Sequence, residues 1–423
     1  MRMKFYKTGQ LLLVSSVSLL VAGLFTACST LTVDFVYVTS AKAAGPNNYG
    51  VVDVFEVNSE SGFMRQIPTS PFPSGGRNPV AAAVSTDFAD LYVVNKDDNT
   101  IVQFIIGNDG KLYPQNTVNT PGIFPTAIAV AGSFLYVVDT YQPLPACSTA
   151  SPCSGSVAVY PVAKDDSLGA PAVNPSLSAS YWPLALPSGH LVTPTAITAQ
   201  GSTGNIYVTA YDATTPNASN AGYVFGFSTG SDGTLTAIAG SPWLAGTQPS
   251  AIASDANGHV YVTDAAKSVV LAYSAAATSG VLNPQGSFPT GNGPSAIVVD
   301  ASGSFAYVAN AQDATITAYS VSNGVLTYVG SYTTGTQPVA IGIDPSLHQY
   351  LYTANFLGNN VNGFQLNSTD GTLILSQNSP YTANAQPTSI AAVPHGSQTK
   401  TKLLPAPART ANRLVTERRS AER

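Results

Sequence analysis

The sequence predicts an all-β fold: a seven-bladed β-propeller with four-stranded antiparallel blades, its ring closed by the C-terminal strand joining three N-terminal strands. Three observations predict it. Four segment types each recur seven times along the 423 residues. The commonest spacings lie near 45 residues, the span of one four-stranded blade. The chain holds 36 Gly and 30 Pro but only 9% charged residues, which suits tight turns and short strands rather than helices with long charged outer faces.

The first segment is small and apolar behind a proline: Pro79-Val-Ala-Ala, Pro125-Thr-Ala-Ile, Pro194-Thr-Ala-Ile, Pro249-Ser-Ala-Ile, Pro294-Ser-Ala-Ile, Pro338-Val-Ala-Ile and Pro387-Thr-Ser-Ile. Such residues suit the innermost strand A, where blades crowd the central channel. The second sets a tyrosine within an apolar strand B, at Tyr37, Tyr92, Tyr136, Tyr207, Tyr261, Tyr307 and Tyr352. The third places a β-branched residue three before an aromatic (Val52/Phe55 through Val361/Phe364) and reads as strand C. The fourth, an apolar residue after a Gly- or Asp-rich turn (Met64 through Leu373), opens strand D. Alternate side chains of these strands face the neighbouring blades. The chain starts on a B strand, Asp34–Ser40, and ends on an unpartnered A strand, Pro387–Val393. The last strand therefore completes the first blade and leaves no open sheet edge at the seam.

The ends differ from the body. Residues 1–27 read as an export signal: Arg2, Lys4 and Lys7 precede an apolar run from Leu11 to Phe25. That run is short for a transmembrane span, and it stops at Phe25-Thr26-Ala27-Cys28. These four residues resemble the lipobox of bacterial lipoproteins, with Phe25 departing from its usual Leu, Val or Ile. The resemblance implies lipidation of Cys28, a short tether over 28–33, and a membrane partner reached through that lipid. The protein is then expected in the periplasm, at the outer membrane or at the cell surface. Plain secretion is the alternative. Residues 34–394 form the propeller. Residues 395–423 carry no packing pattern and read as a basic disordered tail. Residues 28–396 hold seven basic and 20 acidic side chains, a net of −13. An acidic body excludes nucleic acid as a partner, because phosphate binding needs a basic track. The expected state is a monomer.

The B strands Tyr-Val-Thr-Ser (37–40), Tyr-Val-Val-Asn (92–95), Tyr-Val-Thr-Asp (261–264) and Tyr-Val-Ala-Asn (307–310) resemble the YVTN β-propeller repeat. The longer pattern Gly-x-x-Pro-x-Ala-Ile…Tyr-Val-x-Asn is similar to the lactonase-type seven-bladed propellers related to 6-phosphogluconolactonase. The resemblance spans about residues 34–394 and implies fold and superfamily. Its motifs are turn and packing residues, so they carry little chemistry.

In this fold the D-to-A and B-to-C connections share one face, the usual binding face. Candidate rim residues are Asn78, Gln248, Gln337 and Gln386 before the strand-A prolines, and Asn95, Asp139, Asp264, Asn310 and Asn355 at the ends of the B strands. They offer a polar, mildly acidic mouth for a small molecule, glycan or protein. They equally suit turn capping, since Asn and Asp bond neighbouring backbone amides. Lactone hydrolysis needs a general base and an oxyanion stabiliser, and a phosphorylated sugar needs several cations. Arg77, Asp97 and Asp98 are the nearest catalytic candidates. His259 and His348 fall in turns on the opposite face, and His395 follows the closing strand toward it. Only His190 is placed to reach the binding face. Asp97-Asp98-Asn99 has oxygen ligands of the type Ca²⁺ takes but also reads as a turn. No Cys/His zinc spacing and no cofactor motif is present.

Strand-A prolines are spaced 46, 69, 55, 45, 44 and 49 residues apart. The long interval carries insertions at about 140–156 and 171–192. Cys147 and Cys153 lie in the first and suit a disulfide in an oxidising compartment. The leading expectation is an anchored propeller that binds a ligand at its channel mouth. The alternatives are a lactonase-like hydrolase and a purely structural surface protein.

Overall fold

A computed structural model describes residues 32–41, 48–164, 167–200, 203–216, 218–345, 349–384 and 386–396. Cys28, the export segment, His348 and the tail 397–423 lie outside them. The described chain forms seven antiparallel sheets. Blade 1 takes its A strand from Pro387–Pro394, its B strand from Thr32–Ser40, its C strand from Val51–Asn58 and its D strand from Met64–Gln66 and Phe72–Pro73. Blades 2 to 7 then follow in order, with A strands at Pro79–Val84, Ile123–Ala131, Val192–Gln200, Pro249–Ser254, Pro294–Val299 and Pro338–Ile343.

The seam closes as the order of segments predicts. Asp34 stands opposite Pro394, Tyr37 opposite Ala391 and Ser40 opposite Pro387. The closing strand pairs with the B strand of its own blade and packs beside the A strands of blades 2 and 7.

The core lies between the blades. Among the described residues it divides into seven clusters, one at each blade-to-blade interface. The repeated B-strand tyrosines are all buried to within 1% exposure. Tyr352 bonds forward across the seam to Asp34 Oδ2 of blade 1, and four others bond forward likewise. Tyr37 donates to the Gly110 carbonyl, Tyr207 to Gly280, Tyr307 to Gly371, and Tyr136 to the Thr229 hydroxyl. Aromatic residues of the C strands reach backward. Tyr160, Tyr273 and Tyr319 donate to the carbonyls of Asn119, Leu244 and Pro289 in the preceding D strands. Each tyrosine therefore fills an interface and satisfies its own hydroxyl there.

Blades 1, 4 and 7 split the D strand around a cis Ser-Pro bond, at Ser70-Pro71, Ser241-Pro242 and Ser379-Pro380. Each serine hydroxyl accepts the C-strand amide opposite it, from Val54, Gly226 and Gly363. In blade 3 the chain makes a detour before Trp182–Pro183, which pairs with Ser156 and Val157 as the D strand. Leu168 bridges only to Val162. The second insertion therefore contains the strand that pairs with strand C of this blade. Trp182 packs in the interface with blade 4, while Leu168 packs against blade 2 as its equivalents pack on their preceding blades.

Candidate functional site

One loop geometry recurs on the face where D-to-A and B-to-C connections meet. In blades 2, 3, 5, 6 and 7, a glycine packs on the side chain that ends strand B: Gly76 on Asn95, Gly122 on Asp139, Gly246 on Asp264, Gly291 on Asn310 and Gly335 on Asn355. A Cβ at any of these glycines would come closer than 3.0 Å to that side chain. The Gly-x-x-Pro motif and the Asn or Asp of the B strand are thus one device, a loop laid over a buried polar cap. All five caps are fully buried. Asp264 shows the bonding best. It accepts the amides of Thr247 at 2.7 Å, Gln248 at 3.1 Å and Ala266 at 3.0 Å.

The five caps therefore lie beneath the mouth rather than on its surface. Asp139 stands out among them. Burial pushes its carboxyl up to about 7, against hydrogen bonds from the Gly122 amide and Thr120 that lower it. Its Oδ1 has no hydrogen-bond partner. Asn78, Gln337 and Gln386 sit in the rim itself, with φ of 54°, 55° and 59°. Phe124 holds the same position in blade 3 with φ of 57°. Left-handed backbone at non-glycine residues is uncommon and mildly strained. Gln248 occupies the equivalent place in blade 5 and is exposed.

Arg77, Asp97 and Asp98 do come together. Arg77 Nε donates to Asp98 Oδ1 at 2.6 Å, its backbone amide donates to Oδ2 at 2.7 Å, and Nη2 reaches the Asp97 carbonyl at 3.2 Å. Asn78 Nδ2 donates to Asp97 Oδ1 at 3.1 Å. Partial burial raises the Asp98 carboxyl, and the Arg77 bonds and charge outweigh it and hold the carboxyl below its usual range. The guanidinium is committed to this exposed pair.

Blades 1 and 4 lack this glycine: Asn384 takes its place in blade 1 and Leu191 in blade 4. In blade 4, strands A and B run on past Pro194 to pair Val192 with Asp212. Blade 3 extends likewise, pairing Ile123 with Tyr141. The two extended hairpins raise a lip on one side of the mouth. Phe124 and Tyr141 meet edge-on there, with ring centroids 6.1 Å apart. The Cys147–Cys153 disulfide closes the loop next to it, with Cα atoms 5.4 Å apart. That loop is tied to blade 4 by the Val192 amide, which donates to Ser154 Oγ at 3.1 Å.

At the end of the blade 4 hairpin, His190 Nδ1 lies 2.6 Å from Asp212 Oδ2. Asp212 Oδ1 accepts the amides of Thr214 and Thr215, and Oδ2 also accepts the Thr215 hydroxyl. Burial raises the Asp212 carboxyl; bonds from His190, Thr215 and the two amides outweigh it and leave the carboxyl below its usual range. The side chain of Asp212 is 6% exposed and that of His190 is 40% exposed. With the Asp212 carboxylate as its acceptor, the neutral ring carries its proton on Nδ1 and presents Nε2 as the nitrogen that can take up another. The sequence singled out His190 but not its contact with Asp212. The glycine missing before Pro194 is a weak signal for the spot, because blade 1 lacks it before Pro387 as well.

His259 also pairs with an aspartate, Asp255, at 2.8 Å, and Tyr261 donates to the same oxygen. That pair lies on the opposite face and is largely enclosed. Among the described residues no group of three His, Cys, Asp or Glu is arranged to hold a metal ion.

Residues 282–391 match the family model of lactonase, 7-bladed beta-propeller. The fold of the described residues is a seven-bladed β-propeller. A structure solved as a candidate 6-phosphogluconolactonase from Bacteroides fragilis is similar at 19% identity and a TM-score of 0.68, over 86% of this chain and 99% of that one. The periplasmic gluconolactonase of Pseudomonas aeruginosa is similar at 18% identity and a TM-score of 0.68, over 86% and 99%. A protein from Lactobacillus plantarum matches at 16% identity and 0.68, over 86% and 100%. No curated protein sequence matches the chain.

Proposed function

We propose that this lactonase-type propeller is an exported hydrolase of neutral sugar lactones. The carrying observation is the His190–Asp212 pair on the raised lip of the mouth. His190 Nε2 takes a proton from water as the water oxygen attacks the lactone carbonyl. The imidazolium then returns that proton to the ring oxygen as the acyl–oxygen bond breaks, giving the open hydroxy acid. Asp212 holds the imidazole in the tautomer that leaves Nε2 free, and its charge stabilises the imidazolium. The lactonase family match and the gluconolactonase among the structural relatives support the reaction class.

The electrostatics favour an uncharged substrate. The body is strongly acidic, and Arg77 is neutralised by Asp98. A phosphate would meet an acidic rim without a free guanidinium. The test is a pH-stat assay of glucono-1,5-lactone beside its 6-phosphate. Faster turnover of the neutral lactone, above its spontaneous rate, supports the assignment. Preference for the phosphate ester overturns the substrate class, and no acceleration of either overturns the activity.

Ligand binding without turnover is the second reading. It is favoured by the Phe124–Tyr141 contact, which gives the lip an aromatic surface. Export rests on residues 1–27, and the proposed lipid anchor rests on Cys28. Incorporation of labelled palmitate that is lost in Cys28→Ser supports the anchor, and unlabelled wild type refutes it.

A further inference from the structure

The flank between blades 5 and 6 contains a groove of about 550 Å³, a size suited to a small molecule. It lies in different blades from the lip. One wall is the end of strand D of blade 5, at Phe288 and Pro289. The other is formed by strands C and D of blade 6, with Thr315, Thr317 and Tyr328. Its chemistry differs from that of the mouth. Tyr328 is 62% exposed, although it stands in a sheet beside the buried Tyr319. An aromatic ring left open at the edge of a groove offers an apolar face to a ligand.

The hydroxyls in the groove are pre-set as donors. Asn310 Nδ2 donates to Thr315 Oγ1 at 3.1 Å and to Thr317 Oγ1 at 2.9 Å. The Gly291 amide adds a bond to Thr317 Oγ1 at 3.4 Å. Both threonines are used as acceptors; Thr317 is buried, and the half-buried Thr315 is the one whose hydroxyl hydrogen remains for a ligand. The carboxylate in the lining, Asp313, is taken up by Asn292, whose amide and Nδ2 reach it at 2.6 and 3.0 Å. No Lys, Arg or His lines the groove.

We propose that this groove binds a neutral pyranose ring. The ring's C–H face packs on Tyr328 while one of its hydroxyls accepts from Thr315. An anionic ligand has no counter-ion there and would meet Asp313, and a purely apolar one would leave the Thr315 hydroxyl unpaired. The groove is separate from the lip, so this site is independent of lactone turnover.

The test is saturation-transfer NMR and calorimetric titration of the folded full chain with methyl β-D-glucopyranoside and with cellobiose. Binding with a Kd on the order of 1 mM is expected. Tyr328→Ala weakens it about tenfold or more, and Thr315→Val weakens it by a similar factor, with melting curves confirming that both variants fold. Tyr328 is exposed, so its variant tests the site even if Thr315→Val is unstable. Absence of binding to either sugar overturns the proposal. Binding that ignores Tyr328→Ala overturns it too, since the sugar is then held elsewhere.

Discussion

Tyr352 of blade 7 donates its hydroxyl to Asp34 Oδ2 of blade 1 at 3.2 Å, across the seam where the two ends of the propeller meet. Both residues are fully buried. Burial first, and then the neighbouring Asp344 carboxylate, push the Asp34 carboxyl up to about 8, against the lowering effect of the Tyr352 bond. Its other oxygen has no partner. The seam therefore holds a carboxyl that the folded state prefers protonated.

That preference makes stability depend on pH. The folded state binds this proton more tightly than the unfolded chain, whose value is near 3.8, so the contribution is full below that value and is lost as pH rises through about 8. Asp139 shifts in the same direction, to about 7. The melting temperature should fall as pH rises from about 4 to about 8, and Asp34→Asn should flatten that fall. Identical slopes in the variant and wild type would contradict the assignment.

Deleting residues 387–396 removes strand A of blade 1 and bares one edge of Thr32–Ser40. It also takes Val393 and Ile390 out of the two clusters that flank the seam. The truncated chain should aggregate or lose its cooperative melt. An unchanged melting temperature would refute ring closure as a source of stability.

Tyr307→Phe keeps the ring that fills the interface between blades 6 and 7 and removes only its bond to the Gly371 carbonyl. The expected cost is about 1 kcal/mol, read from the denaturant midpoint. A midpoint equal to wild type would show that the hydroxyl adds nothing beyond packing.

The Cys147–Cys153 bridge closes a small surface loop, with a sequence separation of 6. Replacing both cysteines with serine should leave the main melting transition nearly in place and speed proteolytic cleavage within 142–154. A large drop in global stability would mean that the loop braces the whole lip.

The blades were legible in the sequence because each strand carries a packing signature. Pro79, Tyr92, Phe104 and Leu112 place four strands of one blade, and their equivalents recur around the ring. The polar B-strand ends were legible as positions but not as roles. Asn95 and Asp264 look alike to solvent-exposed rim residues in sequence, and only the glycine folded over each shows that it is buried. The His190–Asp212 contact joins residues 22 apart through a hairpin that departs from the repeat. A pattern read from repetition passes over such a place. Strand D of blade 3 was obscured for a related reason: Trp182 follows a detour that shifts it out of register with the other six repeats.

The most direct test of the account compares lactone hydrolysis by wild type and His190→Gln at equal, verified fold. If His190 is the base, kcat for the neutral lactone should fall by about 10²- to 10⁴-fold while KM changes little. Asp212→Asn should follow it downward. A His190→Gln protein that hydrolyses the lactone within a factor of about two of wild type would contradict the central claim.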